Sequence, residues 1–149
     1  MKIAIGSDHA GFNAKSELYD YIVSLGHEVT DLGTYSTESC DYPDYAVKVA
    51  KGVAEGKFDY GVLICSTGIG ISIAANKVKG IRCGLCTDLF TAEMTRRHNN
   101  ANILAMGASV TPVEKMKEMF SVFVSTGFDG GERHSRRVNK ISLIEEGKL

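Results

Sequence analysis

The residues best suited to chemistry stand in one short segment of the chain. An apolar run ends in Cys65, the glycine-rich sequence Ser66–Gly70 follows, and a predicted helix that includes Ile73–Lys77 comes next. Gly68 and Gly70 let backbone N–H groups approach an anion closely, and the start of a helix adds a favourable dipole. The same partial positive charge favours the thiolate form of a cysteine. The segment therefore predicts a cradle for an anion, with a nucleophile or base at its edge.

Further polar side chains fall where predicted strands and helices end. They are Asp8 and His9 after the first strand, Ser66 and Thr67 after the third, His98, Asn99 and Asn100 at the end of a helix, and Arg133, His134, Arg136 and Arg137 in the C-terminal tail. In an open α/β sheet, ligands bind at the carboxyl ends of the strands, and we expect these groups to collect there. Together they predict a phosphate-sized anion site beside acid–base groups.

Each of these groups also has a purely structural interpretation. The pair Asp8-His9 fits a helix cap equally well, and a free cysteine such as Cys65 is often a core residue. His98 suits a helix C-terminus, where a cation is favoured. Arg133 and Arg137 lie four apart, on one helix face, but a basic terminal run is usually solvated surface. The glycine loop after Cys65 favours the functional interpretation.

Several known motifs are absent. The spacing Gly6–Gly11 is followed by Phe12-Asn13, so it is not a nucleotide P-loop, and no Gly-x-Gly-x-x-Gly follows the first strand. A cysteine-dependent phosphatase needs an arginine to clamp the phosphate at the position that Ile71 occupies. A response-regulator receiver would end its third strand with an aspartate, where this chain has Cys65.

Strand and helix patterns alternate and supply the frame for these groups. The predicted strands are Lys2–Ser7, Glu28–Leu32, Asp59–Ile64, Ile81–Leu85 and Ile103–Met106. Predicted helices fill the intervals: Gly11–Leu25 is the first, Pro43 starts the second, and Asp88 caps the fourth. Thr111–Glu114 predicts a capping box with proline at the first helical position. A helical tail follows the glycine-rich break Gly127–Gly131.

Short strands that are apolar on both faces and separated by helices are typical of a covered parallel sheet. We predict an α/β fold: one doubly wound, Rossmann-like, five-stranded parallel sheet with helices on both faces and a C-terminal helical tail. The expected strand order is 2-1-3-4-5. The length of 149 residues fits a single domain, 1–149.

The composition excludes several classes of partner. The net charge is −1 and no apolar run reaches the length of a membrane span, so we expect neither nucleic-acid nor membrane binding. The strand pattern begins at Lys2 without a signal-peptide layout, which predicts a cytoplasmic protein. Of the four cysteines, Cys83 and Cys86 are spaced like metal ligands, but no second pair completes a zinc site. We expect them to be small buried residues.

Five segments together resemble a known family, the type B ribose-5-phosphate isomerases. They are Gly6–Gly11, Asp41–Pro43, Cys65–Lys77, Arg97–Asn99 and Gly131–Val138. The family also holds galactose-6-phosphate isomerase subunits and allose-6-phosphate isomerases. The resemblance covers nearly the whole chain, and its specific part is the thirteen-residue segment Cys65–Lys77.

The resemblance implies an aldose–ketose isomerase that acts on a sugar phosphate without metal or cofactor. It implies a homodimer or a dimer of dimers, with active sites that take residues from both chains and a tail, 131–149, that packs on the partner. Cys65 matches the base that moves a proton between C1 and C2 through an enediolate. Thr67 and His98 match residues that open the sugar ring.

The remaining implied roles concern substrate binding. The residues that match are Ser66, Gly68, Ile69 and Gly70 for the enediolate, Asp8, His9 and Asn99 for the sugar, and Arg133 and Arg137 for the phosphate. One position departs from the family: Ser109 stands where some members have arginine, so phosphate binding rests more on the tail arginines. Ribose 5-phosphate is the first expected substrate and a six-carbon aldose phosphate the second. A cysteine-dependent phosphatase and a non-catalytic sugar-phosphate-binding module are the alternatives outside the family.

Overall fold

The computed structural model describes residues 1–149 and alternates strands with helices. In chain order the elements are β1 Lys2–Ser7, α1 Phe12–Ser24, β2 Glu28–Asp31, α2 Tyr42–Ala54, β3 Tyr60–Cys65, α3 Ile69–Ala75, β4 Cys83–Leu85, α4 Leu89–Asn99, β5 Ile103–Gly107, α5 Val113–Ser125 and α6 Glu132–Glu145. The five strands form one parallel sheet, which confirms the predicted fold class. None of the helices combines the length and apolar character needed to span a membrane.

Apolar side chains fill a layer on each face of the sheet. One layer joins strand residues such as Ile5 and Ile64 to α1, α4 and α5. The other joins Ala4 and Leu63 to α2 and α3. Neighbouring residues of β1 and of β3 thus face opposite layers, as the pleat of a strand requires. Burial on both faces is why these strands are almost entirely apolar.

The strand order is β2-β1-β3-β5-β4, so the predicted order 2-1-3-4-5 is wrong. All five residues of β5 are buried, whereas β4 is a three-residue strand without a buried residue, shorter than the predicted Ile81–Leu85. The longer, apolar β5 gains more free energy of burial by lying between two neighbouring strands. The short β4 at the edge of the sheet leaves few backbone groups unpaired. As a result, Cys65 of β3 lies beside Gly107 of β5.

Helix starts agree with the sequence only in part. Asp88 caps α4 as predicted, because its side chain accepts a hydrogen bond from the Thr91 N–H at 2.7 Å. The predicted capping box at Thr111 is wrong: Pro112 itself is the N-cap residue in an extended conformation, and the buried Thr111 hydroxyl has no partner. The extended proline sets Thr111 outside the first turn, away from the N–H groups that it would cap. Helix α3 begins at Ile69, inside the glycine loop.

Candidate active site

Cys65 ends β3 with its side chain buried and its sulfur facing the glycine loop. The Gly68 N–H donates to the Cys65 Sγ at 3.1 Å. Gly68 adopts φ 78°, in the left-handed region that favours glycine, and this turn carries the chain directly into α3. The sulfur is therefore held against the backbone of the loop at the start of α3.

The loop also presents unpaired N–H groups. Thr67 Oγ1 accepts from the Ile69 N–H at 3.3 Å, but the N–H groups of Gly70 and Ile71 have no hydrogen-bond partner within the chain. These groups belong to the first turn of α3, where no intrahelical acceptor exists. A thiol beside free N–H donors is the combination that a developing oxyanion needs.

Close packing fixes the course of this loop. A Cβ atom at Gly107 would lie 2.5 Å from the carbonyl carbon of Thr67, so only glycine at the end of β5 lets the loop pass. A Cβ atom at Gly70 would lie 2.6 Å from the ring of Tyr42. Tyr42 therefore covers the loop from the start of α2. It was not among the predicted site residues, although the segment Asp41–Pro43 that contains it is one of the five that carry the family resemblance.

The segment after β5 lies beside the cysteine loop. The Ala108 N–H donates to the Cys65 carbonyl at 2.9 Å, and the Ser109 N–H donates to the Ser66 carbonyl at 2.8 Å. The hydroxyl groups of Ser66 and Ser109 are 3.0 Å apart. Ser109, the position of the family departure, therefore stands at the site with a hydroxyl group in place of a guanidinium.

Asp8 and His9 lie at the same edge of the sheet, after β1. Asp8 is buried, and its Oδ1 accepts from the N–H groups of Ala10 at 3.0 Å and Gly11 at 3.1 Å. These bonds hold the turn that precedes α1, whose N-cap residue is Gly11 and which has no side-chain cap. Its Oδ2 remains for another donor. The Cys40 N–H donates to His9 Nδ1 at 3.2 Å, so in the neutral ring Nε2 carries the proton.

A second group of predicted site residues lies at the opposite edge of the same sheet. The Gly61 N–H, at the start of β3, donates to the Asn102 carbonyl just beyond α4, and Arg82 before β4 donates to the Asn99 carbonyl at 3.1 Å. The expectation that His98 and Asn99 reach the carboxyl edge is therefore wrong within one chain. Helix α4 runs back against the strands, so its C-terminus returns to their amino ends.

The tail joins this second group. The rings of His98 and His134 stack with centroids 4.4 Å apart and an angle of 4° between their planes. Arg133 and Arg137, on the first turns of α6, are exposed and form no ion pair. Unpaired guanidinium groups suit an anion such as phosphate. One chain thus carries the thiol loop at one edge and the cationic group at the other.

Of the two cysteines expected to be buried, Cys86 is buried and Cys83 on β4 is half-buried. No disulfide is present, and the side chains of Cys83 and Cys86 pack into opposite layers of the core. Burial raises the pKa of the Cys86 thiol to about 11 and also raises the pKa of the Cys83 thiol. Both remain thiols at neutral pH, which distinguishes them from a catalytic cysteine.

A doubly wound sheet with a thiol, a glycine loop with free N–H groups and an Asp–His pair at one edge has the form of an α/β enzyme for a small anionic substrate. The family model described as "Ribose/Galactose Isomerase" matches residues 3–141. The chain belongs to that family, and its resemblance to the type B ribose-5-phosphate isomerases is confirmed.

Individual relatives match over their whole length. Ribose-5-phosphate isomerase B of Escherichia coli is 47% identical over 145 residues, covering 97% of each chain. D-erythrulose-4-phosphate isomerase of Pectobacterium atrosepticum is 40% identical, covering 97% of this chain and 95% of that one. The structure of ribose-5-phosphate isomerase B from Clostridium thermocellum superposes with a TM-score of 0.97 at 49% identity, covering both chains completely. The chain is accordingly a sugar-phosphate isomerase, as predicted.

Proposed function

We propose that this chain interconverts ribose 5-phosphate and ribulose 5-phosphate through an enediolate, with Cys65 as the base. The observation that carries the proposal is the Cys65 Sγ at 3.1 Å from the Gly68 N–H, beside the unpaired N–H groups of Gly70 and Ile71. The Cys65 thiolate takes the proton from C2 of the open-chain aldose, and negative charge develops on the oxygen at C1. The loop N–H groups stabilise that charge, the proton of the C2 hydroxyl passes to the oxygen at C1, and the thiol returns its proton to C1, which leaves the carbonyl at C2.

The remaining groups bind the sugar and open its ring. Asp8 Oδ2 and the His9 Nε2–H are an acceptor and a donor for sugar hydroxyl groups. His98, assisted by Thr67, gives a proton to the ring oxygen as the cyclic sugar opens. Arg133 and Arg137 hold the phosphate, which fixes the reacting carbons and supplies binding energy from a group that does not react.

The two-edge arrangement supports a homodimer, or a dimer of dimers, with shared sites. Residues Tyr60 to Cys65 advance about 16 Å along β3, at about 3.3 Å per residue. That separation exceeds the length of a pentose phosphate, so His98 and the tail arginines of one chain do not reach the Cys65 loop of the same chain. A second copy that presents its α4 and α6 ends to the Cys65 loop completes each site. A cytoplasmic location remains a prediction from the sequence.

A six-carbon aldose phosphate is the second candidate substrate. Ser109 favours a six-carbon substrate, because its small side chain beside Ser66 leaves more room at the end of β5 than an arginine would. Ribose 5-phosphate ranks first because ribose-5-phosphate isomerase B of Escherichia coli is 47% identical to this chain, whereas a galactose-6-phosphate isomerase subunit of Clostridium acetobutylicum is 38% identical.

The test is direct. Purified protein is incubated separately with ribose 5-phosphate, allose 6-phosphate and galactose 6-phosphate, and ketose and free phosphate are both measured. We expect ketose from ribose 5-phosphate at the highest kcat/KM, no phosphate release, and loss of turnover in Cys65→Ala. Cys83→Ala, which removes a thiol on β4, is the matched control and should keep its activity. Near-normal turnover in Cys65→Ala would show that Cys65 is not the base.

A further inference from the structure

The imidazole rings of His98 and His134 stack on each other, but the proposed function gives a role only to His98. His98 lies in the last turn of α4 and His134 in the first turn of α6, and the rings are nearly parallel at 4.4 Å. Both side chains are half-buried. Because the two rings come from different helices, the stack fixes the plane of the His98 ring relative to the tail.

Charged groups face this stack from each element around it. Arg97 of α4 bridges Glu93 at 3.1 Å and Asp129 at 3.0 Å, which places Asp129 beside the rings. On α6, an Nη of Arg133 lies 3.5 Å from His134 Nε2, and Arg137 follows one turn later. Cations therefore outnumber the free anionic groups at the His134 side of the stack.

These surroundings disfavour a proton on His134. The pKa of His134 lies below its ordinary value, first because of desolvation and then because of the nearby charges of His98, Arg133 and Arg137, while Asp129 acts in the opposite direction. A first proton on the stack opposes a second one, since two imidazolium rings at this distance repel each other.

The same cluster does not suit a metal ion. One ligand atom from each of His98, Asp129 and His134 lies within 4.8 Å of the others. However, Asp129 Oδ1 already accepts from Arg97, and the guanidinium group of Arg133 adjoins His134. Positive charge next to two of the three ligands opposes a cation, so the cluster is arranged for proton chemistry.

We propose that His134 is a positioning residue for His98: its ring stacks on the His98 imidazole and holds that ring in the orientation from which His98 donates to the substrate ring oxygen. The inference rests on the proposed function. In the step, His98 gives its proton to the ring oxygen, the bond between that oxygen and C1 breaks, and the anomeric hydroxyl loses its proton to solvent. His98 then recovers a proton from solvent, so protons balance.

The first experiment tests the stack without any activity. Imidazole signals of 15N-labelled protein are titrated with pH, and the four histidines are assigned by single substitutions. In His98→Phe a flat ring remains but the charge is gone, so we expect the midpoint of the His134 titration to move up from its wild-type value. An unchanged midpoint would show that the two rings are not coupled and would overturn the proposal.

The second experiment tests the role. His134→Phe keeps a stacked ring and should retain turnover of cyclic ribose 5-phosphate within about threefold, whereas His134→Ala should lose roughly tenfold or more, the scale of a misplaced acid. Both variants should leave proton exchange in an acyclic substrate analogue unchanged. If His134→Phe is as impaired as His134→Ala, or if His134→Ala is unimpaired, the positioning role fails. If instead His98→Asn turns over cyclic substrate normally, the proposed ring-opening function fails, while the titration still reports the stack.

Discussion

Complementation between two inactive variants is the sharpest consequence of the two-edge arrangement. Cys65→Ala removes the proposed base at the carboxyl edge of the sheet, and His98→Asn removes the proposed acid at the amino edge. Each variant alone is expected to be inactive on cyclic ribose 5-phosphate. If every site takes Cys65 from one chain and His98 from the other, a mixed dimer contains one site with both native residues and one site with neither.

The size of the recovery follows from counting sites. Random pairing of equal amounts gives about half mixed dimers, and half of the sites in those dimers are intact, so the mixture should reach about one quarter of wild-type activity per chain. A site built within one chain would instead give no recovery, because neither chain holds both residues. The roughly 16 Å between the two edges, from the rise of β3, is the structural reason to expect recovery.

The assay requires mixed dimers of the two variants, and a control dimer that shared sites would leave inactive. The variants are co-expressed with different tags, and mixed dimers are isolated and assayed for ketose formation. As the control, the double variant Cys65→Ala/His98→Asn is paired with wild type. Shared sites leave both sites of that mixed dimer defective, so the isolated dimer should be inactive, whereas sites within one chain would leave it half active. Inactive single-variant mixed dimers, or an active control dimer, would refute the shared site.

Three further predictions concern phosphate binding, the position of the thiol loop and the stability of the fold. Arg137→Ala should remove a charge-assisted contact of about 1.5–3 kcal/mol, measured as a fall in the kcat/KM ratio of phosphorylated to free sugar. Gly107→Ala should displace the thiol loop, because the new Cβ would lie 2.5 Å from its backbone, and steady-state kinetics should show kcat reduced roughly tenfold to hundredfold. Lys15→Met should lower the free energy of unfolding in urea by about 2 kcal/mol, since Lys15 is fully buried and its loss leaves the partly exposed Asp31 carboxylate without its cation.

Each of these variants has a matched control in the chain. Lys148→Ala removes an exposed cation that lies beyond α6 and pairs with Glu146, and should leave the kcat/KM ratio of phosphorylated to free sugar intact. A Cβ at Gly127 meets nothing within 4 Å, so Gly127→Ala should keep wild-type kcat. Lys57 pairs with Glu55 at an exposed position, and Lys57→Met should change stability by no more than about 1 kcal/mol. Equal effects in a variant and its control would contradict the structural reason given for that variant.

Local patterns in the sequence predicted local features correctly. The strand at Lys2–Ser7 has the predicted bounds, Asp88 caps α4, and Cys65 precedes a glycine turn at the end of β3. Each depends on residues close together in the chain: apolar periodicity, a capping side chain, or a glycine with positive φ. The capping box at Thr111 failed for an equally local reason, because Pro112 kept an extended conformation before the helix.

The sequence by itself determined the α/β class and the family, because these depend on residue type and spacing, and it predicted the candidate site residues. Only the tertiary structure decided that β5 rather than β4 adjoins β3, that Tyr42 covers Gly70, and that His98 stacks on His134 at the edge opposite Cys65. These are contacts between segments far apart in the chain. These contacts depend on which strand gains most free energy from a central, buried position and on the direction in which each helix returns. Neither can be read from any single segment of the chain.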